Sequence, residues 1–134
     1  MSRRRLGYLL KHAHLRLTQL TGPALEPYGI DGRELAVLHV LDEADPLSQQ
    51  EAARRLRIDR TTMVALIDTL EGKQLVSRRP HPDDRRKNMV ELTTRGRDTL
   101  RDGGQAVEEA ERAFLAKLPA DDAALLRELL DRLI

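Results

Sequence analysis

The chain has 134 residues, the size of one domain, and its 23 basic and 22 acidic side chains give a net charge of +1. It contains no cysteine, which excludes disulfides, thiol catalysis and cysteine-ligated zinc. Three aromatic residues are too few to stack single-stranded nucleic acid. With no apolar run near the roughly 20 residues of a membrane span and no signal peptide predicted, we expect a cytoplasmic protein.

The charge is unevenly distributed along the chain. Residues 54–97 carry 12 basic and 6 acidic side chains, a net charge of +6, whereas residues 1–53 carry −1 and residues 98–134 carry −4. A basic segment between neutral and acidic flanks is typical of a surface that meets a polyanion. An ordinary solvated charge pattern explains the same counts.

The first part of the chain predicts two helices. Apolar residues recur at three- and four-residue steps over residues 6–20, which is the period of an amphipathic helix, and Gly22-Pro23 weakens or ends it. A second helix is predicted from about residue 32 to residue 43.

The middle of the chain predicts a helix-turn-helix. Ser48 and Glu51 have the spacing of a capping box, which opens a short helix ending near Leu56. Asp59 is a good N-cap for the next helix. The apolar side chains of that helix share one face: Met63, Leu66, Ile67 and Leu70. Two short helices joined by a brief link, the second polar on its outer face, favour this motif.

A hairpin and two more helices follow. Residues 75–79 and 88–92 predict two strands, and the charged, turn-rich segment 80–87 lies between them, so the order is that of a winged helix. Thr93 or Thr94 is expected to cap the next helix, with a bend or a loosened turn at Gly103-Gly104. A final helix beginning at Asp121 or Asp122 carries more apolar residues than it can bury alone, which indicates a partner chain.

The chain resembles the MarR family of transcriptional regulators. The resemblance lies in residues 47–53 (LSQQEAA) and 59–64 (DRTTMV), and in residues 83–86 (DDRR) followed by residues 92–96 (LTTRG). It implies a mostly α fold with a small β wing, in which one domain (1–134) combines a winged helix-turn-helix lobe (31–98) with dimerisation helices (1–30 and 99–134). It also implies an obligate homodimer that binds pseudo-palindromic DNA.

Three residues depart from the family pattern. Arg57 stands where the family usually has glycine between the two short helices. Gln74 replaces the glycine that precedes the first wing strand, and Ala65 stands where the recognition helix often carries arginine. The sequence preference of the family therefore does not transfer to this chain.

The second short helix is the expected recognition helix. Arg60 is suited to bidentate contact with guanine, and Thr61 and Thr62 lie at the helix N-terminus, where hydroxyls and amides favour phosphate. Ala65 belongs to the same outer face, and Arg54 on the preceding helix is expected at the DNA backbone. Alternatively, Arg60 pairs with a neighbouring carboxylate and the threonines are ordinary first-turn residues.

The wing supplies the remaining expected DNA contacts. By resemblance, Arg86 enters the minor groove, whose narrow A·T-rich stretches attract arginine. Asp84 is expected to brace Arg86 through an ion pair without contacting DNA. Arg85 and Lys87 are expected at phosphates, and Arg78 is a weaker candidate. The alternative is a solvated loop with no partner.

The resemblance also suggests a small anionic or phenolic effector. His12, Arg16, Tyr28 and His39 are the polar candidates to line its site, although an ordinary packing or surface role explains each of them. The peroxide-sensing branch of the family is excluded because it needs cysteine. The scattered histidines give poor support for zinc.

The sequence therefore predicts a homodimeric, sequence-specific regulator of double-stranded DNA, acting as a repressor. No cofactor, metal or membrane partner is expected. Motifs of phosphate-binding loops, hydrolases, zinc proteases and kinases are absent from the sequence, so we expect no enzyme. The alternative is a winged-helix module for protein–protein contact, without specific DNA binding.

Overall fold

The protein is described by a computed structural model over residues 3–43, 46–84 and 86–134. Its helices are α1 (Leu6–Leu25), α2 (Gly32–Asp42), α3 (Gln49–Leu56), α4 (Arg60–Gly72), α5 (Thr94–Leu115) and α6 (Ala120–Leu133), with a 3₁₀ turn over Glu26–Tyr28. Its strands are β1 (Leu47–Ser48), β2 (Val76–Pro80) and β3 (Asn88–Leu92). The mostly helical chain with one small sheet confirms the predicted fold class.

The sheet is antiparallel and has the strand order β1-β3-β2. The wing strands β2 and β3 pair in register from Val76↔Leu92 to Pro80↔Asn88. The sequence did not predict β1, whose Leu47 lies opposite Val90. Two residues are too few to show an alternating pattern. Because β1 runs directly into α3, this strand holds the start of the helix-turn-helix against the wing.

The core lies within the helix-turn-helix and its wing. Residues with no exposed surface come from α2, α3, α4 and β3: Val37, Leu38, Ala52, Met63, Ile67, Leu70 and Val90. The apolar face predicted for α4 is the face that packs inward. This packing fixes the opposite face of α4 toward solvent.

Gly22-Pro23 was predicted to weaken or end the first helix, and it does not end it. Helix α1 continues through Pro23 to Leu25. A proline inside a helix removes one backbone hydrogen bond. The side chain of Leu25 is 1% exposed, so tertiary packing holds the last turn in place.

Of the bend or loosened turn predicted at Gly103-Gly104, the loosened turn is absent, because α5 is helical throughout this segment. Gly103 is buried, and a Cβ atom there would lie 3.3 Å from a methyl carbon of Leu25. The glycine allows α5 to approach the end of α1 closely. This contact outweighs the low helix propensity of glycine.

Helix capping agrees only partly with the prediction. Ser48 Oγ accepts from the Glu51 amide at 3.1 Å, but the Glu51 carboxylate binds Arg54 and Arg55 and does not return to the cap residue. Asp59 occupies the N-cap position without a side-chain cap bond. A complete capping box instead opens α2, at Asp31 and Glu34.

Arg57 and Gln74, which stand where the family usually has glycine, both adopt a left-handed backbone conformation. Arg57, which caps α3, has φ 55° and ψ 42°, and Gln74 has φ 64°. Residues with a Cβ atom rarely adopt this region, which glycine adopts freely. The fold therefore retains both turns at a cost in backbone strain.

Candidate nucleic-acid interface

The recognition helix α4 presents a polar outer face near its N-terminus. Arg60, Thr61 and Ala65 are exposed, and Thr62 is half-buried. Within the described residues Arg60 carries no ion pair, so its guanidinium is free to bind a partner. The backbone N–H groups in the first turn of α4 point out of the helix N-terminus and add partial positive charge beside Arg60.

The wing tip is held by short-range hydrogen bonds around Asp84. The backbone N–H of Arg86 donates to Asp84 Oδ1 at 3.1 Å, and the Arg86 Nε donates to the same oxygen at 3.3 Å. His81 N–H donates to the carbonyl of Lys87 at 2.9 Å and closes the loop. The Arg86 side chain is 93% exposed despite its ion pair. Asp84 therefore orients Arg86 and leaves its guanidinium accessible.

The same contacts set the ionisation of Asp84. The backbone N–H of Arg86, and after it the Arg86 side chain, holds the pKa of this carboxyl below its ordinary value.

Arg85, a predicted phosphate contact, lies outside the described residues.

The structure brings the wing and the recognition helix together around a small polar pocket. Its volume is about 90 Å³. The lining residues are Ser48, Gln49, Gln50, Arg60, Arg86, Lys87 and Asn88. Three cationic side chains and the N-terminus of α3 thus face one concavity, which suits a phosphate oxygen. The sequence predicted the three cations, but it did not predict Gln49, Gln50 or Asn88, whose neutral side chains carry no charge signal.

Arg54 lies on the exposed face of α3. Its side chain is 78% exposed and pairs with Glu51 at 2.8 Å. Hydrogen bonds from Arg54 and then from Arg55 lower the pKa of Glu51, and Glu51 in turn raises the pKa of Arg54. Both groups are charged at neutral pH, and the exposed guanidinium keeps donors for a second partner.

Arg78 is placed differently from the other predicted DNA contacts. Its side chain is 17% exposed and pairs with Asp68 at 2.6 Å and Glu71 at 3.1 Å, both on α4. The guanidinium therefore faces the recognition helix and not solvent.

The four predicted effector residues are exposed and are spread over α1, the 3₁₀ turn and α2. His12 stacks near the Tyr8 ring, with 4.0 Å between ring centroids, and His39 pairs with Glu43 at 2.9 Å. Arg16 lies one turn beyond His12 on α1, and Tyr28 ends the 3₁₀ turn.

An apolar groove lies between α1, α2 and the helix-turn-helix. It has a volume of about 660 Å³. Its lining includes His14 and Thr18 of α1, Arg33 of α2, Ile58 of the turn and Thr62 of α4. None of the four predicted effector residues is part of that lining. Thr62 and Leu66 of α4 also line the groove, so a molecule bound there would contact the predicted recognition helix.

Residues 3–43, 46–84 and 86–134 contain neither a metal-binding cluster nor a helix that could span a membrane. No group of three or more histidine, aspartate or glutamate side chains in these ranges is arranged to hold a metal ion. No helix in them is long and apolar enough to cross a membrane.

Comparison with known proteins identifies the family. The sequence profile of the MarR family matches residues 28–87. The HTH-type transcriptional regulator YdgJ of Bacillus subtilis is 32% identical over 105 residues, which are 78% of this chain and 64% of YdgJ. The chain thus spans slightly less than two thirds of that relative.

Two solved structures of DNA complexes are also similar. The transcriptional repressor CouR bound to a 23-mer DNA duplex has a TM-score of 0.91 and 33% identity, covering 96% of this chain and 92% of CouR. A MarR variant from Escherichia coli, complexed with operator DNA, has a TM-score of 0.87 and 28% identity, covering 96% and 93% of the two chains. The chain belongs to the MarR family.

Proposed function

We propose that the chain is a sequence-specific regulator of double-stranded DNA that represses transcription by covering a promoter. The observation that carries the proposal is the concavity that joins Arg60 of the recognition helix to Arg86 and Lys87 of the wing. A duplex presents phosphates on both sides of each groove, and cations from two elements match that arrangement. The DNA bound by CouR and by the MarR relative supports the same function.

Each side chain has a distinct role in this proposal. Arg60 reads a guanine edge in the major groove, and Thr61 and Thr62 contact phosphate beside it. Arg86 enters the flanking minor groove, where narrow stretches concentrate negative potential. Lys87, Arg54 and Arg85 bind phosphates, and Ala65 offers only a methyl group to the bases. Asp84 is the brace for Arg86.

A homodimer is part of the proposal, and the exposed apolar surface of α1 and α6 supports it. Helix α6 has no buried residue, although eight of its 14 residues are leucine or alanine. Leu6, Leu133 and Ile134 are 64%, 74% and 86% exposed. Large apolar patches of this kind mark association surfaces. A second copy joined there gives two lobes related by a two-fold axis, which match an inverted repeat.

The groove between α1, α2 and the helix-turn-helix is the proposed effector site. Its walls are mainly apolar, and Arg33 and His14 line it together with Asp31, whose carboxylate already accepts from the Glu34 amide at 2.9 Å. The apolar walls and the two donor side chains suit an anionic or phenolic molecule. Binding against Thr62 would move the first turn of α4 and release DNA. Arg33→Ala should weaken effector binding in calorimetry while operator affinity without effector stays unchanged.

The function is tested by selecting binding sites from a random duplex pool at near-physiological salt. The expected result is an inverted repeat with half-sites about one helical turn apart. Arg86→Ala should then weaken binding to the selected operator about five-fold or more, since a groove contact contributes roughly 1–3 kcal/mol. Arg101→Ala is the matched control because Arg101 is also exposed and ion-paired, with Asp98 and Asp102, but lies on α5 away from the pocket.

Two outcomes contradict the proposal. Recovery of no shared sequence, with binding that vanishes as salt rises, leaves only non-specific charge attraction and favours a protein–protein interaction module. Equal losses from Arg86→Ala and Arg101→Ala remove the minor-groove role from Arg86.

A further inference from the structure

The guanidinium of Arg78 connects three elements of the DNA-facing lobe. Its Nη2 lies 2.6 Å from Asp68 Oδ1, its Nη1 lies 3.1 Å from Glu71 Oε1, and its Nε donates to Gln49 Oε1 at 2.6 Å. Nη2 also reaches the carbonyl of Val64 at 3.4 Å. Every nitrogen of the guanidinium therefore has a partner inside the protein.

The partners of Arg78 on α4 form one row. Val64, Asp68 and Glu71 are spaced by four and three residues, which places them along a single helix face. The planar guanidinium fork suits such a row because its donors point in fixed directions. The backbone N–H of Arg78 adds a bond to Glu71 Oε2 at 3.3 Å. Arg78 of β2 thus forms hydrogen bonds along about two turns of the recognition helix.

The third contact reaches the basic pocket. Gln49 is the first residue of α3 and lines the pocket that holds Arg60 and Arg86. Its side-chain oxygen is fixed by Arg78, so the position of the strand, the helix N-terminus and the pocket wall depend on one another.

A small rotation of strand β2 at Arg78 would displace the wing tip, because the tip lies several residues beyond it. Arg78 lies in mid-strand, and the tip begins about four residues farther along, roughly 13 Å away at the usual rise per residue. A tilt of about 10° at the base would displace the tip by about 2 Å. Binding geometries tolerate only about 0.5 Å of misplacement. The angle between β2 and α4 therefore decides whether Arg60 and Arg86 can reach adjacent grooves together.

We infer that Arg78 is a positioning residue that fixes the wing against the recognition helix, and that its carboxylate partners Asp68 and Glu71 serve DNA binding although they are acidic. The consequence for DNA rests on the proposed function, whereas the fixed angle of the wing does not. Arg79 offers a matched comparison, since it is the adjacent arginine, is 58% exposed and pairs only with Glu91 at 3.4 Å on the neighbouring strand.

The first experiment measures the wing angle without DNA. The chain has no cysteine, so Ala65→Cys and Asp83→Cys place one nitroxide on α4 and one on the wing of the full chain, diluted with unlabelled protein. Asp68→Asn and Arg78→Lys should broaden or shift the distance distribution, and Arg79→Lys should leave it unchanged. An unchanged distribution in both Asp68→Asn and Arg78→Lys overturns the inference.

The second experiment measures affinity for the duplex selected by the wild-type protein. Asp68→Asn removes a negative charge beside DNA, so plain electrostatics predicts equal or tighter binding. If Asp68 positions the wing through Arg78, Asp68→Asn should instead bind the operator about three-fold or more weakly. This loss of affinity should be confined to operator DNA, and the base preference should relax at the positions where the wing docks. Arg78→Lys should show the same loss although it keeps the charge.

The outcomes separate the two claims. Tighter operator binding by Asp68→Asn, together with a salt slope about 0.9 lower in Arg78→Ala, makes Arg78 a phosphate contact and overturns the inference. A broadened wing distribution in a protein whose wild type selects no operator keeps the positioning role and removes the proposed function.

Discussion

Gly96 provides a direct test of how helix α5 is joined to the winged helix. A Cβ atom at this position would lie 2.0 Å from the carbonyl oxygen of Leu75, well inside any normal contact. That carbonyl cannot withdraw freely, because it accepts the Thr93 N–H at 3.1 Å. Thr93 in turn caps α5 by accepting from the Gly96 amide at 2.9 Å. The Leu-Thr-x-x-Gly pattern of residues 92–96 therefore corresponds to a close contact between the start of α5 and the backbone of Leu75.

Gly96→Ala should lower the free energy of unfolding by about 2 kcal/mol or more. Overpacking that forces a backbone shift costs about 3 kcal/mol, and alanine returns about 1 kcal/mol through its better helix propensity. Gly104→Ala in the same helix is the control, because its added Cβ would have no described atom within 4 Å other than those of the adjacent helix backbone. It should stabilise the protein by about 1 kcal/mol.

The two variants are compared by urea and thermal unfolding at one fixed protein concentration, since subunit association contributes to apparent stability. At about 3–5 °C for each kcal/mol, Gly96→Ala should melt roughly 6–10 °C below the wild type. A Gly96→Ala protein as stable as Gly104→Ala would show that the junction between α5 and Leu75 is not close, and the reasoning would fail.

Three further predictions follow from local geometry. Arg57→Gly should raise the urea-unfolding free energy by about 0.5 kcal/mol, because relief of left-handed strain exceeds the entropy of glycine; a loss would show that the arginine side chain stabilises the turn. Lys73→Met should cost roughly 2 kcal/mol by the same assay, since it leaves the buried Glu34 carboxylate without the ammonium 2.7 Å away, and the double variant with Glu34→Gln should recover part of it. By NMR titration the Asp84 carboxyl should have a pKa below the ordinary aspartate value of about 3.9, so its contribution to wing order is complete above that pH and is lost as pH falls through the lowered pKa. Arg86→Ala should raise that pKa only part of the way because the backbone N–H remains, and an unaltered titration would contradict the side-chain contact.

Several features of the fold were predictable because they depend on nearby residues. The apolar spacing of α4 and the charged turn between the wing strands act within a few positions of the chain. Helix α1 does not end at Gly22-Pro23, one of the two outcomes predicted there, because distant residues hold its last turn. Burial of Leu25 against α5 is a contact between distant segments, and it decided a boundary that local propensity had placed elsewhere.

The features of the candidate site also fall into two groups, those that nearby residues determine and those that depend on tertiary packing. The sequence alone determined the helix-turn-helix, the wing and the excess of basic residues between them, since periodicity, turn chemistry and charge can be read in order along the chain. It predicted Arg86 in the minor groove and Arg78 as a weaker candidate for phosphate contact, so both were expected at DNA. Only the tertiary structure decided that Arg86 is exposed at the tip while Arg78 is enclosed by carboxylates of α4. Whether a cation is paired or free depends on the angle at which two elements meet, and that angle is set by packing between residues far apart in sequence.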